Sequence, residues 1–122
     1  MKKGLNIKLI ILFGSRAKGT AGKTSDYDVA VLADRPLQLE DKFGLSQDLA
    51  KEYGYNEDKI EIVDLWSAPP LLQHEIAKHG KLLKGNELDF LLFRVSAWKQ
   101  FQDTAKLRKW QKEHLRQRIY GK

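Results

Sequence analysis

The chain has 122 residues, of which 42% are hydrophobic and 31% are charged, a composition typical of one globular domain. It has no cysteine, which excludes disulfides and thiolate metal sites, and its apolar runs are shorter than the ~20 residues that span a membrane. The net charge of +6 permits contact with nucleic acid, ATP or an acidic protein. We therefore expect a single cytoplasmic domain over residues 1–122, without a membrane partner.

Two apolar runs with a polar loop between them predict the first strands. Residues 9–13 lead into Gly14 and Ser15, and a second run follows Asp28. Residues two apart on a strand point to the same face, so Asp26 and Asp28 are expected to present their carboxylates side by side. Such acids repel each other and need a cation or a proton, and Mg²⁺ accepts oxygen ligands of this kind.

The turn before this acidic pair has the composition of a phosphate-binding loop. A glycine such as Gly14 lets the backbone approach a phosphate, and the Ser15 hydroxyl together with backbone N–H groups can hold it. Arg16 adds positive charge that would suit a polyphosphate. Either short motif alone is weak, but their order and spacing together are more specific.

The middle of the chain predicts alternating helices and strands. Residues 37–53 are typical of a helix that ends at Gly54 and carries its acids, Asp41 among them, on a solvated face. Residues 59–65 form the third predicted strand. A helix is expected to begin at Ala68-Pro69-Pro70, since proline suits a first turn, and a short extended segment follows near residues 80–85.

A long helix is predicted from about Asn86 to about Arg118, as a C-terminal extension (86–122) of a core at about 5–85. Its apolar residues recur at helical spacing, and they are Leu88, Leu91, Leu92, Val95, Trp98, Phe101 and Ala105. One small sheet cannot cover a helix of this length. Part of its aromatic face (Phe93, Trp98, Phe101, Trp110) is therefore expected against another subunit.

The sequence resembles a known family at the residues singled out above. Gly14-Ser15-Arg16-Ala17-Lys18-Gly19, followed by Ser25-Asp26-Tyr27-Asp28-Val29-Ala30-Val31, resembles the signature of the minimal nucleotidyltransferases of the polymerase-beta-like superfamily. The resemblance covers about residues 5–85. It implies an α/β fold with a small mixed β-sheet flanked by helices, which we expect on one side of the sheet, and a long C-terminal helix.

The resemblance also implies an activity and its residues. The family transfers a nucleotide in an Mg²⁺-dependent reaction, here with ATP as the expected substrate. Gly14, Ser15, Arg16 and Ser25 would contact the nucleotide. Asp26 and Asp28 would hold two Mg²⁺ ions.

The resemblance implies a third carboxylate on the neighbouring strand, which acts as the base on the attacking hydroxyl or as a further metal ligand. Glu61 and Asp64 are the candidates, and strand alternation places them on opposite faces, so both cannot point at the metals. The register of related sequences favours Glu61. Asp64 remains the alternative third acid.

The family resemblance implies a protein partner. Relatives of this kind pair with a HEPN-family RNase toxin, and the nucleotidyltransferase is the antitoxin that transfers AMP to a tyrosine of the toxin in a hetero-oligomer. One alternative is a non-catalytic antitoxin that acts by complex formation alone. Another is a nucleic-acid-binding module that uses the basic residues of 97–122, although a solvated helix face explains them and nucleic acid is not the expected primary partner. A small-molecule acceptor is a third.

Overall fold

A computed structural model describes residues 5–22, 25–106, 109–110 and 113. Four strands form one sheet: β1 (Ile7–Phe13), β2 (Tyr27–Ala33), β3 (Ile60–Asp64) and β4 (Lys81–Lys84). Four α-helices connect or follow them: α1 (Ser15–Lys18), α2 (Leu39–Tyr53), α3 (Pro70–His79) and α4 (Glu87–Asp103), and a short 3-10 helix (Glu57–Lys59) precedes β3. The predicted α/β class and the order of the elements are confirmed.

The sheet is mixed, as predicted. Its strand order is β3-β2-β1-β4, with β1 antiparallel to both of its neighbours and β2 parallel to β3. A parallel pair requires a crossover, and α2 supplies it between β2 and β3. The β1–α1–β2 segment needs only a short connection because its strands are antiparallel, which brings the end of β1 beside the start of β2.

Helices cover both faces of the sheet, so the expectation of helices on one side is wrong. Alternate residues of β1 point in opposite directions. Leu9 and Ile11 join a core with Ile76 of α3 and Phe90 of α4. The other β1 face packs against α1 and α2 through a second core, whose buried residues are Ile10, Leu12, Ala17, Val29, Val31, Leu45 and Leu49.

Helix α2 agrees with its predicted range, but one of its acids is not on a solvated face. Gly54 ends the helix with φ of 72°, a conformation that glycine adopts without strain. Asp41 is 2% exposed, accepts hydrogen bonds from the Gln38 backbone N–H at 2.8 Å, and forms an ion pair with Arg35 at 2.9 Å. It caps the start of the helix, a role that a burial pattern alone does not reveal.

The predicted long C-terminal helix is present as α4, which is interrupted at Thr104, and residues 105–106, 109–110 and 113 are helical again. The Thr104 hydroxyl donates to the carbonyl oxygens of Gln100 and Phe101, and such back-bonding competes with regular helix continuation. The predicted continuation to Arg118 lies mostly outside the described residues.

The predicted apolar face of α4 is largely the exposed one. Phe90, Phe93 and Ala97 are the buried residues, so Phe93 belongs to the chain's own core rather than to a subunit interface. Large apolar side chains on the other side of α4 are more than half exposed, and these are Leu88, Leu91, Leu92, Val95 and Trp98. Within the described residues, no helix combines the length and apolar character needed to cross a membrane.

Candidate active site

The turn between β1 and α1 depends on Gly14. Its φ of 74° and ψ of −155° fall in a region that favours glycine. A Cβ built at this position would collide with Oδ2 of Asp28 and lie 3.3 Å from its Cγ. Gly14 is therefore required twice, for the direction of the chain and for the space occupied by the Asp28 carboxyl group.

The sheet register brings Asp28 and Glu61 together. Asp28 pairs with Phe13 across the antiparallel ladder and with Glu61 across the parallel one. The two carboxyl groups are therefore direct neighbours on adjacent strands. Burial raises the pKa of Asp28, and the neighbouring charge of Glu61, their hydrogen bond and the charge of Asp26 raise it further. Two carboxyl groups held this close form a site for a proton or a cation.

Asp26, the other aspartate predicted to hold Mg²⁺, is exposed and lies just before β2. Within residues 5–22, 25–106, 109–110 and 113, no group of three or more His, Cys, Asp or Glu side chains is arranged to hold a metal ion. The Asp28–Glu61 pair nevertheless fits Mg²⁺, because both donors are carboxylate oxygens whose mutual repulsion a divalent ion would relieve. Asp26 would have to approach this pair to complete the predicted ligand set.

Asp64 lies away from this pair and is occupied by backbone groups. It is 7% exposed at the end of β3, where its two carboxylate oxygens accept from the N–H groups of Leu37 and Trp66, each at 3.0 Å. These bonds attach the loop before α2 and the turn after β3 to the sheet. The placement is that of a structural cap.

Arg16 is engaged within the protein. Its Nη2 donates to the carbonyl oxygen of Ser25 at 2.9 Å, and its guanidinium lies 4.2 Å from the centre of the Tyr27 ring. Tyr27 in turn stacks on Tyr55 at 4.0 Å, with 13° between the rings. Arg16 thus connects α1 to the segment that carries both aspartates.

Ser25 is also engaged, since its hydroxyl oxygen accepts from the Gly22 backbone N–H at 2.9 Å. That bond closes a turn directly before Asp26. Ser15 begins α1 immediately after Gly14, so its hydroxyl and backbone lie at the turn next to Asp28. The structure therefore brings Gly14, Ser15, Asp28 and Glu61 to one region, with Arg16 and Ser25 at its border.

Sequence reasoning missed two residues that support the site, Glu75 and Tyr55. Glu75 of α3 forms an ion pair with Lys18 of α1 at 3.1 Å, and the hydrogen bond from Lys18 lowers the pKa of Glu75. Tyr55, which supports Tyr27, follows α2 in sequence. Neither position has a local sequence signal, because the contacts depend on how distant elements pack.

Comparison with known proteins gives the family of the chain. Residues 1–89 match the family Polymerase beta, Nucleotidyltransferase. The chain is 36% identical over 96 residues to Protein adenylyltransferase MntA of Shewanella oneidensis, an alignment that covers 79% of this chain and 67% of that protein. It is also 36% identical over 99 residues to Protein adenylyltransferase MntA of Aphanizomenon flos-aquae, covering 73% of this chain and 66% of that protein.

Solved structures of toxin–antitoxin complexes share the fold. One complex with AMP-PNP contains a chain that superposes with a TM-score of 0.76 at 33% identity, covering 90% of this chain and 86% of that one. A complex of a tri-AMPylated Shewanella oneidensis HEPN toxin with its MNT antitoxin gives a TM-score of 0.69 at 30% identity, covering 90% and 83%. The fold and the site define a nucleotidyltransferase. The chain belongs to the Polymerase beta, Nucleotidyltransferase family.

Proposed function

We propose that this chain is an Mg²⁺-dependent protein adenylyltransferase that transfers AMP from ATP to a tyrosine of a HEPN toxin. As an antitoxin it would neutralise that toxin within a hetero-oligomer in the cytoplasm. The observation that carries the proposal is the Asp28–Glu61 carboxyl pair opposite the Gly14 turn. Two relatives at 36% identity that are called protein adenylyltransferases support it.

The nucleotide would lie at the turn after β1. Gly14 leaves room beside Asp28, and Ser15 offers a hydroxyl and a backbone N–H next to it. Ser25 and Arg16 would border the nucleotide and fix the segment that carries Asp26 and Asp28. A related structure that contains AMP-PNP supports a nucleotide at this fold.

Asp28 and Glu61, with Asp26 brought closer, would hold two Mg²⁺ ions. When bound, the metal supplies positive charge that offsets the triphosphate and the developing charge of the reaction. Burial and the neighbouring carboxylates raise the pKa of Asp28, and a bound cation would offset the negative charge that these groups bring together.

The transfer itself is a substitution at the α-phosphorus of ATP. The tyrosine oxygen forms a bond to this phosphorus while the bond to the bridging oxygen breaks and pyrophosphate leaves. The phenolic proton passes to a carboxylate, and we assign that role to Glu61, which is exposed at the edge strand of the sheet. Asp64 is unsuited to it because both of its oxygens already accept backbone hydrogen bonds.

Intact-mass spectrometry tests this proposal. The chain is mixed with the HEPN protein encoded beside it, Mg²⁺ and each nucleoside triphosphate in turn, and the control is the double variant Asp26→Ala/Asp28→Ala. We expect the HEPN protein to gain one or more AMP units from ATP when the unmodified chain is present, and none when the double variant replaces it. No mass gain with any nucleotide would overturn the transferase.

Binding without catalysis is a second candidate, favoured by the lack of a three-acid cluster among the described residues. It predicts that the double variant still silences the toxin without any change of mass. The proposed adenylyltransferase predicts that neutralisation requires Asp26 and Asp28. A toxin activity assay on the same samples decides between them.

A further inference from the structure

The outer side of α4 carries an apolar stripe at helical spacing. Leu91, Val95 and Trp98 follow one another at intervals of four and three residues, and their side chains are 54%, 55% and 57% exposed. Isolated apolar residues on a surface are ordinary, but a continuous stripe on one helix is typical of a surface that another molecule covers.

The stripe forms one wall of a groove between α3 and α4, which we call the α3–α4 groove. The groove has a volume of about 560 Å³, and its other lining residues include His74, Lys78 and Arg94. His74 stacks on Phe101 at 3.9 Å with 12° between the rings, which fixes its imidazole at the groove. Apolar side chains in a groove between two helices suit the apolar face of an amphipathic helix.

The charges at the groove favour an acidic occupant. Lys78 and Arg94 both line it, and the ion pairs among the described residues include neither of them. A second copy of this chain would bring the same cations into contact with these cations, and its net charge is also +6. A helix with apolar residues on one face and Asp or Glu at its borders is complementary in both respects.

The groove is connected to the candidate active site through α3. Glu75, which follows His74 directly, pairs with Lys18 of α1, and α1 begins at Ser15. Asp28 and Ala30 are two residues apart on β2, and Ala30 belongs to the core that α3 and α4 cover, so Asp28 points to that same side of the sheet. A protein seated in the groove would lie next to the nucleotide site.

We propose that the α3–α4 groove docks the acceptor protein through an amphipathic helix with acidic borders, and so presents the acceptor residue to the active site. The inference rests on the proposed function, since the docked protein is the one that receives AMP. It assigns binding of the acceptor to residues that take no part in the chemistry.

Matched substitutions on α4 test the groove. Leu91→Ser removes an apolar contact inside it, and Leu92→Ser is the control, because Leu92 is similarly exposed on the same helix but lines a different depression with Lys8 and Trp66. We expect Leu91→Ser to weaken the Kd for the HEPN protein at least tenfold, and Leu92→Ser to change it less than threefold. Equal effects of the two variants would overturn the proposal.

Charge reversal tests the chemistry of the occupant. Lys78→Glu/Arg94→Glu is expected to slow association with the HEPN protein at least tenfold at low salt, with a smaller effect at high salt. The matched control is Lys51→Glu on α2, which covers the opposite side of the sheet, compared with each groove reversal made singly. An unchanged or faster association of the groove variant would exclude an acidic occupant.

A benzophenone side chain at position 91 identifies what fills the groove. A cross-link to an acidic amphipathic helix of the HEPN protein supports the proposal. A cross-link to a second copy, or to residues 107–122 of the same chain, would overturn it by giving the groove another occupant. The cross-linking uses the full-length chain, and the adducts are located by mass spectrometry.

Failure of docking and failure of the transferase give different results. Binding is measured without ATP in the Asp26→Ala/Asp28→Ala background, where the proposal expects an unchanged Kd. Transfer by Leu91→Ser is measured against acceptor concentration, and we expect a raised KM with kcat and ATP affinity unchanged. Normal docking without transfer refutes only the proposed function, whereas normal KM in Leu91→Ser refutes only the groove.

Discussion

Two pairs of acids near strand β3 differ in what surrounds them. Asp28 and Glu61, near its start, are neighbours across the parallel ladder, and burial together with the charge of Glu61 raises the pKa of Asp28. Asp41 and Asp64, at the other end, accept backbone N–H groups, and Asp41 also pairs with Arg35. The second pair is satisfied by the protein alone, which is typical of structural acids. The first pair requires a proton or a cation from solution to offset its charge, which is typical of a functional site.

The largest expected effect on AMP transfer comes from changes at the Asp28–Glu61 pair. Asp28→Asn keeps the size of the side chain but removes the charge that a metal needs, and Gly14→Ala places a methyl group against the Asp28 carboxyl. We expect each to lower the rate of AMP transfer by on the order of 10³-fold, since metal and electrostatic effects are worth several kcal/mol. Transfer of label from α-³²P-ATP measures this.

Asp41→Asn is the control for that loss. At a temperature where it remains folded, it should retain transfer within about threefold, because Asp41 caps α2 on the other side of the sheet. A comparable loss of transfer in Asp41→Asn would mean that the two pairs of acids do not differ in function.

For stability we expect the opposite of the effects on transfer: loss of Asp64 should destabilise the fold, and loss of the Asp28 charge should not. Asp64→Ala leaves the N–H groups of Leu37 and Trp66 without their acceptor, and we expect the free energy of unfolding to fall by about 2 kcal/mol. Asp28→Asn removes repulsion with Glu61 and should raise the melting temperature by a few degrees, as is common when a catalytic charge is lost. Urea denaturation and thermal melts in metal-free buffer measure both. A lower melting temperature for Asp28→Asn would show that the carboxyl pair stabilises the fold.

The elements of the fold could be predicted because local patterns determine them. The apolar runs around Gly14 and Asp28, the helix end at Gly54 and the prolines before α3 each have a local physical meaning, and the structure agrees with each. The interruption of the C-terminal helix at Thr104 could not be predicted, because no glycine or proline marks it and the Thr104 hydroxyl bonds that occur there are not visible as a pattern.

The candidate site was predictable only in its motif residues. Gly14, Ser15 and the two aspartates follow from spacing, and alternation separated Glu61 from Asp64. Asp41 is buried because Arg35 and Gln38 of the preceding segment bind its carboxylate. The charge pattern of α2 alone predicted that Asp41 would lie on a solvated face. The side of α4 that packs inward was also misjudged, because α4 has apolar residues on two faces and only the packing of α3 decides between them.

Arg16 supports the segment that carries Asp28 without being one of the acids of the Asp28–Glu61 pair. If its contribution is to hold Ser25 and the Tyr27 ring, Arg16→Lys should lower kcat about tenfold, since lysine retains the charge but not the planar contact. Tyr27→Phe keeps the stacked ring and should retain kcat within about twofold, whereas Tyr27→Leu should behave like Arg16→Lys. Steady-state transfer kinetics measure these values.

The alternative role of Arg16 gives the opposite result. A residue that contributes mainly charge to the triphosphate would tolerate lysine and would raise the KM for ATP when changed to alanine. An Arg16→Lys variant with normal kcat, next to an impaired Arg16→Ala, would identify Arg16 as a nucleotide contact, as its place in the motif suggests.

The smallest expected effect is a dependence of stability on pH that belongs to the first pair alone. Because the pKa of folded Asp28 lies above its ordinary value of 3.8, the folded chain holds its proton more tightly than the unfolded chain does. That contribution is fully present below the ordinary pKa and is lost as the pH rises through the raised one. Without metal, the melting temperature should therefore decline over this range, and Asp28→Asn should remove that part of the decline.

Mg²⁺ should oppose this decline, since it binds the deprotonated carboxylates of the folded chain. The rise in melting temperature on adding Mg²⁺ is expected to grow with pH in the unmodified chain and in Asp41→Asn, and to be absent in Asp28→Asn. Thermal melts at several pH values with and without Mg²⁺ provide the comparison. A rise that is independent of pH, or one that persists in Asp28→Asn, would place the ion elsewhere. The two pairs of acids would then differ in proton binding but not in metal binding.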